Sequence, residues 1–319
     1  MAARTDYWVS SLVLAFCFPS QPVAKTSLMS PFLGDPGGSS SSRKAPQVDR
    51  EQRLVCITAA PRTGTTALEG ALAAENVMNF GEVFHTHPLK DAVGTFLRFA
   101  EDHNIRLSET ITRAGTAAIA ERYLNWLRKQ AAPRHVLIDV KLNSWSVLSP
   151  WWRYPHHEPF FLHHLKRNGA AFVFIWREDL GDQVLSRFIA RELGIWHNLT
   201  AEKVAGRTLR APIAWLKKAA GLISRAEADM LDHLCDYPAK VMIRYEDLYE
   251  NGVLTERFRK ALRRIAGIDL PHGICAIAQN SACKRDIIEN YDEVVAAMGP
   301  LTEGRRVRME SWITNCGRS

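Results

Sequence analysis

The sequence predicts an α/β fold, one large domain with a central, mostly parallel sheet flanked by helices. Short apolar runs rich in β-branched and aromatic residues recur at 54–60, 135–142, 170–176 and 240–248. Longer stretches between them return their apolar residues at helical spacing, so strands and helices alternate as in βαβ units. The runs at 135–142 and 170–176 do not alternate apolar with polar, which is the pattern of strands covered on both faces. A chain of 319 residues is long enough to bury such a core.

Composition narrows the function only mildly. A formal net charge of +7 suits an anionic ligand, and it also suits an ordinary solvated exterior. Cys17, Cys56, Cys235, Cys275, Cys283 and Cys316 show no paired spacing, so the expectation is reduced thiols, a cytoplasmic location and no zinc ribbon. Cys56 falls inside an apolar strand, where a buried thiol is the simplest reading. Residues 1–50 stand apart. Trp8–Phe18 is apolar but too short to span a bilayer, and Asp6 and Pro22 fit a signal peptide poorly. The stretch 34–46, with Gly37-Gly38 and serines through Ser42, reads as linker. The expected organisation is a disordered or leader-like extension over 1–50, or a start placed too far upstream. The main domain then covers 51–300, and a tail 301–319, with no stable membrane span.

The chain is organised around Leu54-Val55-Cys56-Ile57-Thr58-Ala59-Ala60-Pro61-Arg62-Thr63-Gly64-Thr65-Thr66 and the helix-forming run after it. Strand, tight turn and helix in this order point successive backbone N–H groups at one spot over the positive helix end, an anion cradle. Arg62 adds a charge, and Thr63, Thr65 and Thr66 add hydroxyls. The loop is not Gly-x-x-x-x-Gly-Lys-Ser/Thr, because it has a single glycine and its cation precedes the turn. An ordinary Thr-capped strand-to-helix turn is the competing reading.

Val77 to Pro88 reads as a second strand or extended loop, placed beside the first strand in a βαβ unit, with Glu82 and His87 near its end. Helical runs follow at about 89–103 and 109–130. The strand at 135–142 ends in Lys141, either at the ligand edge of an open sheet or as a snorkelling lysine. The aromatic and His-rich stretch 144–164 suits a wall for stacking a sugar face, or ordinary packing, better than a metal site. The strand at 170–176 leads into Arg177 and a helix that Asp179 can cap, with Ser186 two turns along it. Arg177 and Ser186 could reach one anion. Gly194-Ile195-Trp196-His197 closes that helix, and further helices are expected over 212–235 and 251–268. Lys284 and Arg285 lie in a loop able to close over an anion. Nothing interleaves arginine with aromatics as nucleic-acid binding would require.

Together these pieces resemble the bacterial 3′-phosphoadenosine-5′-phosphosulfate (PAPS)-dependent carbohydrate sulfotransferases, in particular the trehalose 2-sulfotransferase and NodH-like group, over about 53–298. Pro61-Arg62-Thr63-Gly64-Thr65-Thr66 is similar to the family's 5′-phosphosulfate loop, and Arg177 to Ser186, with Gln183-x-x-Ser186, to its 3′-phosphate segment. Gly81-Glu82 matches its acidic base, and Gly194-Ile195-Trp196-His197 its Gly-x-Trp-His element. Tyr245-Glu246-Asp247-Leu248 and the stretch 288–294 match further motifs. Glu178 and Asp182 depart from the pattern, standing where basic residues are common.

The resemblance implies a P-loop-containing three-layer fold and sulfuryl transfer from PAPS, without a metal, to a carbohydrate or glycolipid hydroxyl. Glu82 and Arg62 would be catalytic. Arg62, Thr63, Gly64, Thr65, Thr66, Arg177, Ser186, Lys284 and Arg285 would hold the donor, and Glu82, His87, Lys141, Trp196 and His197 the acceptor. The absence of a Walker lysine, and of a magnesium-holding carboxylate beside the loop, fits this reading. An ATP-dependent P-loop kinase and a non-catalytic anionic-nucleotide-binding protein are the alternatives, and the oligomeric state, a homodimer included, stays open.

Overall fold

The computed structural model describes residues 52–73, 76–84, 94–110, 112–145, 147–148, 158–196, 201–204, 206–270 and 283–316. A hairpin of two-residue strands at 249–254 aside, its strands form one parallel five-stranded sheet in the order β2-β3-β1-β4-β5. These are β1 (Leu54–Ala59), β2 (Val77–Glu82), β3 (His135–Lys141), β4 (Ala171–Trp176) and β5 (Lys240–Arg244). β1 lies at the centre, in register with β3 from Leu54↔Val136 to Ala59↔Lys141 and with β4 from Val55↔Ala171 to Ala59↔Ile175. β1, β3 and β4 are buried along their whole length, as their unbroken apolar runs require.

The period-two alternation of a strand divides the core into two layers. Leu54 and Cys56 of β1 face the same layer as Ile138, Phe172 and Phe174. That layer is closed by α3 (Arg113–Ala131), α4 (Phe160–Arg167) and α7 (Ile213–Leu234), through Tyr123, Leu127, Phe161, Leu165 and Leu231. Val55, Ile57 and Ala59 face the other, with Val173 and Ile175, against α1 (Thr65–Leu72) and α8 (Glu256–Ala266). A third cluster joins α5 (Leu180–Leu193), α7 and α10 (Tyr291–Cys316) through Leu180, Val184, Leu216, Val294 and Met298. None of the described helices is long and apolar enough to cross a membrane.

The sheet order reverses on either side of β1, so a switch point lies at its carboxyl end, where open α/β sheets form their ligand crevice. The loop after β1 and the carboxyl ends of β3 and β4 all open there.

Several expectations are corrected. β2 pairs with β3 at the sheet edge rather than with β1, because β3 is the more apolar strand and takes the doubly covered place. The helix expected over 89–103 is α2 (Phe96–Asp102), capped by the Thr95 hydroxyl, within the described residues. α3 begins after Thr112, whose hydroxyl accepts from Gly115 N at 3.0 Å. A β6 (Tyr249–Glu250) and β7 (Val253–Leu254) hairpin turns at Asn251-Gly252, so α8 starts five residues later than expected, at Glu256.

The packed body also runs past 300. α10 is a 26-residue helix through Pro300, so most of the 301–319 expected as a tail is helical. Its end is covalently fixed, since Cys316 is disulfide-bonded to Cys235 just beyond α7. The expectation of unpaired cysteines therefore fails at this pair, whose partners are 81 residues apart. Cys56 is a free, buried thiol as expected, and burial, with Asp139 adding, raises its pKa.

α10 also carries the most deeply buried ion pair described. Arg305, 1% exposed, grips Glu227 of α7 with two hydrogen bonds of 2.6 Å. The same guanidinium donates to the Arg177 carbonyl and lies 5.4 Å from the centre of the Trp176 ring, so α10 fixes the carboxyl end of β4. Arg305→Met strands a buried carboxylate and is expected to cost about 3–5 kcal/mol in urea unfolding. Adding Glu227→Leu to it should recover most of that loss; a double variant no more stable than the single would show that the guanidinium's other contacts dominate.

Candidate active site

The cradle forms where β1 runs out. Arg62 and Gly64 both take positive φ, 68° and 90°, which folds the chain sharply enough to start α1 at Thr65. Glycine is required at 64, because a Cβ there would lie 2.2 Å from the Tyr245 ring. Gln183 of α5 holds the loop from beneath, donating to the Pro61 carbonyl at 3.0 Å and to Thr63 Oγ1 at 2.9 Å. The Thr63 hydroxyl in turn donates a hydrogen bond to the Ala60 carbonyl at 2.6 Å. The Arg62 guanidinium donates to the Trp196 carbonyl, and Arg177 Nη1 reaches the Arg62 carbonyl at 3.5 Å. Burial, with Arg177 close by, pulls Arg62 below its ordinary value. Two guanidiniums facing one loop are relieved by an anion between them.

Under the cradle sits an ionisable cluster built on β3. Lys141, 7% exposed, bonds Thr65 Oγ1 and the Asp139 carboxylate, and its Nζ lies 3.4 Å from Glu82 Oε1. Burial works against the lysine's charge, but Asp139, Glu82 and Glu69 outweigh it and hold its pKa above the ordinary lysine value. Glu69 of α1 is pushed up to about 8 by burial and then by Asp139. Asp139 Oδ1 is buried with no donor supplied to it by the other hydrogen bonds described. A hydrogen bond to the Asp139 carboxylate also helps to raise Glu69, and it requires the proton to be on one of the two carboxyls. Two carboxyls, Asp139 and Glu69, thus stand beside the loop where the sequence reading placed none, and Lys141 occupies the space between Asp139 and the loop.

A second cationic group stands on the other side of the crevice. Asp179 caps α5, accepting from Asp182 N at 2.7 Å. Arg177 Nη2 pairs with Asp182 Oδ2 at 2.5 Å, and Lys284 bonds both the carboxylate and the carbonyl of Asp182, the carbonyl at 3.0 Å. Arg244 holds Glu178 at 2.7 Å and Asp247 at 2.7 Å, and Glu246 accepts from Glu178 N.

The structure therefore brings Arg62, Thr63, Gly64, Thr65, Glu82, Lys141, Arg177 and Lys284 to the end of the sheet. Trp196 joins them through its carbonyl, with its side chain exposed. Thr66 is exposed on α1, and Ser186 is buried on α5 one turn beyond Gln183. Arg285 pairs with Asp292 at 2.8 Å and lies over the Tyr291 ring. Lys141 is buried rather than snorkelling. His87 and His197, like 146 and 149–157 of the aromatic stretch, lie outside the described residues. Of that stretch, His163 pairs with Glu158 and His164 with Glu121.

Sequence reasoning missed Gln183 as a loop support, together with Tyr245, Glu69, Asp139 and Arg305. For Gln183 and Tyr245 a signal existed in the quoted motifs.

No family model matches the chain, and no curated protein does. Among solved structures it is similar to the sulfotransferase domain of the Synechococcus PCC 7002 olefin synthase, at 16% identity. That alignment covers 82% of this chain and 91% of the other, with a TM-score of 0.39. It is also similar to mouse sulfotransferase SULT7A1 complexed with PAP, at 13% identity over 81% and 89% of the two chains, with a TM-score of 0.37. At these values it is the sheet order and the site geometry that carry the functional reading.

Glu69 has a signature in stability. Its folded pKa, about 8, lies above the ordinary carboxylate value of 4.5. Its contribution is therefore complete below 4.5 and is lost as pH rises toward 8. Glu69→Gln keeps a neutral donor to Asp139 and removes the titration. Melting temperatures between pH 5 and pH 8 should fall more steeply in the native chain than in the variant; parallel curves would mean that Glu69 titrates as an ordinary surface carboxylate.

Proposed function

We propose that the chain is a PAPS-dependent sulfotransferase that moves a sulfuryl group to a hydroxyl of a carbohydrate or glycolipid, with Glu82 as general base. The observation that carries this reading is Lys141, which touches Thr65 of the anion cradle and stands 3.4 Å from the Glu82 carboxylate. One buried cation thus ties the donor loop to the base.

The residues present fit the 5′ end of such a donor. The 62–66 turn leads directly into the N-terminus of α1, and Arg62 and Arg177 lie beside it. When bound, the donor supplies the sulfuryl group and a phosphate leaving group. The Thr65 hydroxyl, held by Lys141, and the Arg62 guanidinium, held by the Trp196 carbonyl, are set in place before the reaction, so with the loop amides they stabilise charge as it develops on the bridging oxygen. The Glu82 side chain, 35% exposed, faces the crevice and takes the proton of the acceptor hydroxyl. Lys141 holds that carboxylate toward the loop, and the exposed Trp196 offers a flat apolar face at the same rim, suited to a sugar ring. At the 3′ end the fit differs, because Asp182 already fills the space between Arg177 and Lys284.

Two measurements test the reading. Mass spectrometry of polysaccharide and lipid extracts from cells with and without the gene should reveal a sulfated species present only with it. Glu82→Gln should bind PAP as the native chain does while formation of that species falls about 10²–10⁴-fold. Undiminished formation would remove Glu82 as the base.

A further inference from the structure

The second cationic group is already neutralised from within. Arg177 and Lys284 both meet the same carboxylate, Asp182, with side chains 26%, 14% and 23% exposed respectively. Pairs this sheltered are screened by salt far less than surface pairs. The other acidic groups packed here are engaged elsewhere: Asp179 caps α5 and Glu178 pairs with Arg244. The helix start does not need the Asp182 side chain, because it is the Asp182 N–H that Asp179 caps. Arg177 Nε, meanwhile, is buried and finds no acceptor among the described residues. Burial pulls Lys284 below its ordinary value, with Asp182 opposing and Arg177 adding to the pull.

We propose that Asp182 is a built-in counter-anion, which holds the Arg177–Lys284 clamp in the place of a phosphate and sets how strongly the protein distinguishes a nucleotide with a 3′-phosphate from one without. The inference rests on the donor reading above. A 3′-phosphate must displace the carboxylate to reach both cations, so much of its attraction is spent on replacing a contact that already exists. A nucleotide with only a 5′-phosphate meets the cradle and does not bridge Arg177 to Lys284, so it feels Asp182 far less. The chain is thereby a weak discriminator of the 3′-phosphate, and a single charge controls it.

The test compares adenosine 3′,5′-bisphosphate (PAP) with adenosine 5′-phosphate (AMP) by calorimetry at one fixed salt concentration. Asp182→Asn keeps the side-chain shape and removes the charge; Asp182→Ser serves as a second variant, and circular dichroism confirms that each is folded. Both variants should bind PAP about tenfold more tightly or better, through charge-assisted hydrogen bonds from Arg177 and Lys284, while AMP affinity stays within about threefold. Binding of both nucleotides with an unchanged PAP-to-AMP ratio, or weaker PAP binding, overturns the role of Asp182 alone and makes it a support that orients Arg177. If neither nucleotide binds the native chain or the variants, the donor reading falls and this inference with it.

Discussion

The site depends on one buried ammonium. Lys141 ends β3 beneath the loop and is surrounded by three carboxyl groups, Asp139, Glu82 and Glu69. An isolated charge in such a place would be prohibitive, and a lysine facing three ionised carboxylates would leave excess negative charge where an anion must bind. The proton on Glu69 resolves this. It turns one carboxyl into a donor and leaves Asp139 and Glu82 to share a single cation. The arrangement lowers the excess negative charge beneath the cradle, and Lys141 links Glu82 to Thr65.

Around that centre the remaining parts act as supports. Gln183 holds the loop carbonyl at Pro61, the Tyr245 ring packs against the bare face of Gly64, and Arg305 holds the Arg177 carbonyl from below. The last of these explains why a helix far along the chain matters to the site. α10 is anchored by the Arg305–Glu227 pair and by the Cys235–Cys316 disulfide, and what it steadies is the end of β4, from which Arg177 projects. The 61–66 loop, Glu82 and Arg177 are therefore positioned from β1, β2–β3 and β4 respectively, by contacts between elements remote in sequence.

That division explains what could be read from the sequence. The strands at 54–60, 135–142 and 170–176 declare themselves through unbroken apolar runs, and the turn at 61–66 through its single glycine before a helix. These are local properties. The edge position of β2 is not local, since it follows from β3 being the better strand to bury. α10 was missed because Gly299, Pro300 and Gly304 look like helix breaks, while the contacts that favour it, Arg305 with Glu227 and Cys316 with Cys235, span 78 and 81 residues. The same holds at the site. Arg62, Glu82 and Arg177 are legible as charges in suggestive places. That Asp182 would cancel Arg177 and Lys284, or that Arg285 would turn to Asp292, is decided only once α5 and α9 (Lys284–Ile287) are packed.

The central claim is that this cradle handles a sulfuryl group and not a phosphoryl group. The direct measurement incubates the purified chain with polysaccharide and lipid extract, supplying either PAPS labelled in its sulfuryl sulfur or ATP labelled in its terminal phosphate with magnesium. The account predicts label in a product from PAPS alone. Label from ATP, with none from PAPS, would contradict it.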